Sequence, residues 1–301
     1  MQIKEKDPVQ FRFSAFADEI DPSFDKQLEA LRKLGIPLLE LRGVDGRSFV
    51  ELTDGEILSV KEKLKKAGIG LSALGSPIGK IKTDGDFEAH LGLFERVMDI
   101  GDMLDCRRIR MFSFYPGEGQ THDSLSFEQN VFEWIGILLD RAEKRGFTLC
   151  HENEKDIYGD SPESEKRLLD HFRGRLKAVL DPGNFAFCLL DARSSYELLK
   201  DYVCYMHLKD ADETGAIVVP GTGKACLEEI LQDVCRDETR AGAEMILTVE
   251  PHLMDFVGLV SLAASGAVLE HRQAFATGYE AFETAFEAIK PMVRNSLYIV
   301  V

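Results

Sequence analysis

The sequence contains no C-x-x-C pair and no glycine-rich dinucleotide turn, and only one tryptophan and seven histidines among its 301 residues. It also lacks any apolar run of about 18 residues, so no segment reads as a membrane span. The six cysteines, at 106, 150, 188, 204, 226 and 235, mostly sit inside apolar strand-like runs. Their spacing fits no zinc cluster and reads as reduced, buried thiols. Basic residues are the scarcer charge: 36 Lys and Arg stand against 52 Asp and Glu, a formal charge of −16. Such a chain repels phosphate backbones, which argues against bulk nucleic-acid binding. The opening MQIKEKDPVQ is polar, with no apolar stretch of signal-peptide type. Together with the reduced thiols this predicts a cytoplasmic protein.

The composition present is that of a soluble globular chain, 45% hydrophobic and 29% charged. At this length it buries a sizeable core without disulfides. Apolar runs alternate with amphipathic stretches. Strands are predicted at Phe11–Ala17, Pro37–Arg42, Ile69–Leu74, Arg108–Phe114, Phe147–Glu152, Leu176–Leu180, Val203–Leu208 and Glu244–Val249. Helices are predicted between them, at about 22–34, 54–67, 86–104, 126–145, 162–172, 194–200 and 227–235, with a last one over Val268–Met292. Gly35, Gly68 and Gly146 mark helix ends. Eight βα units in this length read as one (β/α)₈ TIM barrel, a single domain over 1–301, with a doubly wound open sheet as the weaker alternative. The apolar tail Tyr298–Val301 is expected to dock on the body or on a second copy, so a homodimer is among the expectations.

A TIM barrel carries its chemistry at the C-terminal ends of its strands. Four consecutive strands end in LCHENE, VLDPGN, YMHLKD and LTVEP. They place Glu152, Asp181, His207 and Glu250 at equivalent positions on the rim. One carboxylate at a strand end is as often a cap for the following helix, and one histidine is most often simply satisfied in place. Four in succession is a coincidence of well under about one in a thousand at ordinary composition. Three carboxylates in one barrel mouth repel one another, and a cation relieves that cost. Hard oxygen donors with one imidazole suit one divalent ion: Mn²⁺ first, with Mg²⁺, Co²⁺ or Zn²⁺ as alternatives.

HENE at 151–154, LDPGN at 180–184, HLKD at 207–210, PGTG at 220–223 and VEP at 249–251 resemble the xylose isomerase-like barrel superfamily. Within it the chain is similar to the sugar phosphate isomerase/epimerase family, which includes D-tagatose 3-epimerase and inosose dehydratase. The likeness runs from FSAFADEI to VEPH. It implies that Glu152, Asp181, His207 and Glu250 hold one divalent ion. It also implies that Glu152 and Glu250 serve as the acid/base pair of an isomerase or epimerase that passes through a metal-stabilised enediolate. The substrate is then a sugar, sugar phosphate or sugar acid. A lyase dehydrating a keto-inositol or polyol is the alternative. A phosphodiesterase like endonuclease IV fits less well, because it needs many more histidine ligands than the single strand-end His207. A non-enzymatic sugar-binding protein would leave the four-residue set unexplained.

Two departures concern the substrate side. Asn184 stands where tagatose-epimerase-like members often carry a histidine, and the stretch ADETGAIVVPGTG lacks their rim arginine, leaving Lys209 as the nearest cation. Further substrate-binding candidates are Glu40 and Arg42, either as a grip on a hydroxyl or carboxylate or as a rim ion pair, and Lys80 of SPIGK, either reaching an anion or solvated in its loop. Asn153 and Lys155 are placed at the mouth. His151 alternates to the outer face of its strand and reads as structural. The glycines of PGTG either face an anion with their amides or simply make a turn. Trp134 falls on an apolar helical stripe with Phe127, Val131 and Leu138 and reads as core.

Overall fold

The computed structural model describes residues 9–257 and 269–298. Its eight principal strands are β1 Gln10–Ala15, β2 Leu38–Leu41, β3 Gly70–Gly75, β4 Arg108–Met111, β5 Thr148–Glu152, β6 Leu176–Leu180, β7 Val203–Leu208 and β8 Glu244–Val249. Each pairs in parallel with its sequence neighbour from β2 through to β8, and β8 pairs with β1 over Gln10–Ala15. That last pairing rolls the sheet into a nearly closed barrel and excludes the open-sheet alternative. It is the TIM barrel expected from the alternating pattern.

The helices outside it are α1 Phe24–Leu34, α2 Asp54–Ala67, α3 Phe87–Leu104, α4 Leu125–Lys144, α5 Pro162–Phe172, α6 Pro182–Phe187, α7 Ala192–Leu199, α8 Leu227–Arg236 and α9 Gly278–Tyr298. Local chemistry sets their ends. Thr53 and Glu56 form a reciprocal capping box at the start of α2, and Gly68 at φ 71° ends it. Asp86 and Ser161 cap α3 and α5. Trp134 is half-buried and stacks on Phe87 with ring centroids 4.1 Å apart, in the seam between α3 and α4, packed against the edge of the core.

Two differences from the expected elements stand out. The DPGNF stretch, to which no element is assigned from sequence, forms a short helix, α6. The last helix starts at Gly278 rather than Val268. Just before it, Glu270 and Arg272 exchange backbone hydrogen bonds with Ile217, so that stretch is committed to the ribbon Asp210–Ala211/Ile217–Val218. Most of the apolar tail, and Val268 itself, lie outside the described residues.

Inside the barrel, alternation stacks two layers. Leu38, Cys150, Val179, Tyr205 and Ile246 form an apolar plug. Two residues further along the same strands come Glu40, Glu152, Asp181, His207 and Thr248, all buried. The polar layer therefore rests on a packed floor and opens only toward the C-terminal mouth.

Candidate active site

Glu152, Asp181, His207 and Glu250 each offer one donor atom to a group whose members lie within 4.8 Å of one another, and all four residues are buried. They are not at one depth. Thr248 is the residue of β8 in register with His207, and Glu250 lies two residues beyond it, past the strand end. The stagger of the barrel still turns Glu250 onto the same centre: His207 Nδ1 is 3.2 Å from Glu152 Oε1 and 3.3 Å from Glu250 Oε2.

Asp181 does two jobs with its two oxygens. Oδ1 accepts from the Asn184 amide and caps α6. Oδ2 has no aligned hydrogen-bond donor, although Lys209 Nζ lies 2.9 Å away. His207 Nδ1 is likewise buried without an aligned partner. Two buried atoms without an aligned hydrogen bond, one oxygen and one nitrogen, thus stand in the same group as two glutamate oxygens. The 3.2 and 3.3 Å separations are close to the ~3.0–3.4 Å between neighbouring ligands of a small divalent ion with bonds of ~2.1 Å. The donor set and its geometry fit such an ion.

Each glutamate is gripped by its own arginine. Arg110 Nε lies 3.2 Å from Glu152 Oε2, and Arg42 Nη1 donates to Glu250 Oε1 at 2.7 Å. This leaves Glu152 Oε1 and Glu250 Oε2 for the centre. Burial pushes the Glu152 carboxyl up, but His207 and Arg110 outweigh it and hold it at about 2. Burial also opposes ionisation of Glu250, and Lys209 and His252 overturn it and hold that carboxyl well down. Asp181 goes the other way: burial takes it to about 6, with Lys209 pulling down and Glu152 and Glu250 pushing up. Burial disfavours a charged His207 ring, yet the Glu152 and Glu40 carboxylates drive its pKa well up.

The other expected residues divide. Arg42, Lys80, Asn184 and Lys209 line the mouth together with Glu152 and Glu250. The Lys80 side chain lies over the Phe112 ring and pairs with Glu154 at 3.1 Å. Asn184 Nδ2 donates to Glu152 Oε1 at 3.3 Å and to the Asn153 carbonyl at 2.7 Å. Lys155 lines the mouth, whereas Asn153 does not; it is buried and braces the Asp181 backbone through both its N–H and its carbonyl.

Glu40 is a correction. It neither pairs with Arg42 nor reaches the mouth; it is fully buried beneath His207. Arg42 instead binds Asp18, Glu19 and Glu250. His151 faces outward onto Glu165 at 3.1 Å. The amides of Gly221 and Gly223 do face an anion, but it is Asp210 of the same chain, which also accepts from Ala211 and Ala225.

A second triad, Glu19, Glu250 and His252, is also close enough to hold a cation. There the Arg42 guanidinium already supplies the charge, 2.7 Å from Glu250 Oε1 and 3.1 Å from Glu19 Oε1. Arg110, Glu154, His252 and the Asp18–Glu19 pair were not singled out from sequence. The parity of β4 is the signal that places Arg110 inside.

Gly183 is a packing requirement. A Cβ there would lie 2.4 Å from Lys209 Cγ and 2.6 Å from the Lys209 carbonyl oxygen. Gly183→Ala is expected to cost about 1–3 kcal/mol, read by urea unfolding; an unchanged midpoint would show that Lys209 gives way freely.

The xylose isomerase-like TIM barrel family matches residues 28–258. No curated protein matches the sequence. Among solved structures, D-psicose 3-epimerase from Clostridium cellulolyticum H10, with D-tagatose, is similar with a TM-score of 0.68 at 14% identity, covering 95% of this chain and 99% of that one. A xylose isomerase-like TIM barrel protein from Mycobacterium smegmatis, in complex with magnesium, aligns with a TM-score of 0.64 at 16% identity over 99% and 100% of the two chains. A probable 3-DHS dehydratase involved in petrobactin synthesis from Bacillus anthracis reaches 0.70 at 14% identity, covering 94% and 99%. At these identities the likeness is one of fold.

Proposed function

The chain belongs to the xylose isomerase-like TIM barrel family, and from that premise we propose that it is a divalent-metal-dependent isomerase or epimerase. Its substrate is a sugar, sugar phosphate or sugar acid. The observation that carries this reading is the convergence of Glu152, Asp181, His207 and Glu250 on one buried centre at the barrel mouth. These four residues are the proposed holders of the ion, and the magnesium complex and the epimerases among the structural neighbours support the assignment. A bound divalent ion supplies Lewis-acid polarisation of a substrate oxygen.

The chain's own residues supply the proton chemistry. Glu152 and Glu250 are ionised at neutral pH, held so against burial by the charges around them. Either carboxylate can accept a proton from a carbon beside a carbonyl. Approaching from β5 and from the end of β8, the two acceptors allow a proton to be taken on one side of the substrate and returned on the other, which epimerisation requires. Asn184 steadies Glu152, and Lys80, Lys209 and Arg42 line the path a substrate takes.

The test is a panel of ketoses, sugar phosphates, sugar acids and keto-inositols incubated with protein and Mn²⁺ in D₂O and followed by proton NMR. At least one is expected to lose a carbon-bound proton signal, and EDTA is expected to stop the exchange. Exchange in none of them overturns the proposal, and a product lighter by one water assigns the site to the lyase alternative.

Metal binding is expected to weaken as pH falls. The ion must displace the proton carried by His207, whose pKa is raised, and below about pH 6 the one on Asp181 as well. Mn²⁺ affinity should therefore fall roughly tenfold per pH unit near neutrality and up to about a hundredfold per unit below 6. Calorimetry in buffers of different ionisation enthalpy reads both the affinity and the released protons. A flat affinity between pH 5 and 8 contradicts the assignment.

A further inference from the structure

Glu40 occupies a position that the mouth chemistry does not use. Its side chain is fully buried, and three donors fill its two oxygens. The Tyr205 hydroxyl donates to Oε1 at 2.8 Å; the Thr248 hydroxyl donates to Oε2 at 2.9 Å, and His207 Nε2 lies 3.1 Å from the same oxygen. Among the described residues, His207 is the only basic side chain within ion-pairing distance of this carboxylate. A buried anion with so little compensation costs several kcal/mol in general. As a mere spacer the position would be served as well by an uncharged glutamine of the same shape.

What the carboxylate adds is acceptor-only character. Facing Glu40, His207 Nε2 has to carry its hydrogen, which leaves Nδ1 as the nitrogen able to offer a lone pair. Nδ1 is the atom that points at Glu152, Asp181 and Glu250. The brace is itself braced: Tyr205 is the next inward residue below His207 on β7, and Thr248 is in register with His207 on β8.

We propose that Glu40 is a positioning residue. Through Nε2 it fixes the tautomer and orientation of His207, and so presents Nδ1 to a divalent ion. Imidazole ligands of metals commonly need such a partner, and its loss typically lowers metal affinity by about 10–100-fold. The inference rests on the reading that the four-residue cluster holds an ion.

The experiment compares wild type with Glu40→Gln, measuring Mn²⁺ affinity by calorimetry and the His207 ring nitrogens by ¹⁵N NMR with Zn²⁺ bound. Glu40→Gln is expected to keep its thermal unfolding midpoint, to bind Mn²⁺ about 10–100-fold more weakly, and, with Zn²⁺ on Nδ1, to keep the Nε2–H but shift its signals as a carboxylate acceptor is replaced by a neutral amide. A wild type that binds no Mn²⁺ removes the cluster reading itself. A wild type that binds, with equal affinity and unchanged nitrogen signals in Glu40→Gln, overturns the role of Glu40 alone. If Glu40→Gln does not fold, Tyr205→Phe and Thr248→Val each remove one donor that holds the carboxylate. Each is then expected to weaken Mn²⁺ binding severalfold, and unchanged affinity in both overturns the proposal.

Discussion

Glu152→Gln is expected to reduce turnover by about 10³-fold or more while leaving the barrel folded. Removing a general base alone is worth about 10²–10⁴-fold. Here the same side chain also gives one oxygen to the proposed ion, so the two losses fall on one substitution. The amide keeps the shape and can still meet Asn184, which limits damage to the fold. Solvent-deuterium exchange of the substrate, compared with the wild type at saturating Mn²⁺, reads the effect. Exchange within tenfold of wild type would eliminate Glu152 as the base. Glu250→Gln makes a useful companion: one variant dead and the other partly active points to an isomerase that uses one carboxylate, whereas two dead variants point to the two-sided proton transfer of an epimerase.

The largest stability effect is expected from Arg110→Met. Arg110 is one of the largest fully buried side chains, and its side chain and that of Glu152 are only 2% and 3% exposed. Its remaining polar contact is neutral, to the Ser76 carbonyl, and its plane lies over the Phe112 ring. Taking away the guanidinium leaves a buried carboxylate without its dedicated partner, a change that costs about 3–5 kcal/mol in general. Urea unfolding in EDTA measures it. Adding Glu152→Gln to Arg110→Met should return part of the loss, because the orphaned charge goes with its partner, so the pair is expected to be strongly non-additive. A single-variant loss below about 1 kcal/mol would mean that other groups neutralise Glu152. Gly75 belongs to the same packing: a Cβ there would come within 2.5 Å of Phe16 and 3.1 Å of Arg110 Nη2, so the arginine has no room to relocate on that side.

Much of the barrel is legible because its strands are short apolar runs and its helices carry explicit start and stop residues, such as Thr53 with Glu56 and Gly68. Helix α6 is less legible: Asp181-Pro182 is a helix start, but Gly183 and the brevity of the element weaken it. Only the cap from Asp181 and the room beneath Gly183 for Lys209 make it helical. The four converging residues are readable because each lies at or just past the end of a strand, and strand ends of this fold meet at one mouth. Asp181 shows that cap and candidate ligand are compatible roles for one side chain, since the two oxygens are used separately. The place of Glu40 depends on something the sequence does not contain. Alternation along β2 puts it inside, but whether an inward residue opens to the mouth or is covered by a neighbour such as His207 depends on the stagger between strands far apart in the chain. The same stagger sets Thr248, not Glu250, beside His207. Arg110 is harder to read, because an arginine in RRIRM looks like surface unless the parity of the strand is followed inward.

The apolar plug of Leu38, Cys150, Val179, Tyr205 and Ile246 makes the chamber above it a cul-de-sac. Whatever enters last leaves first. A carbohydrate seated over the ion would therefore act as its stopper, and chelators would strip the protein only during the intervals between occupants.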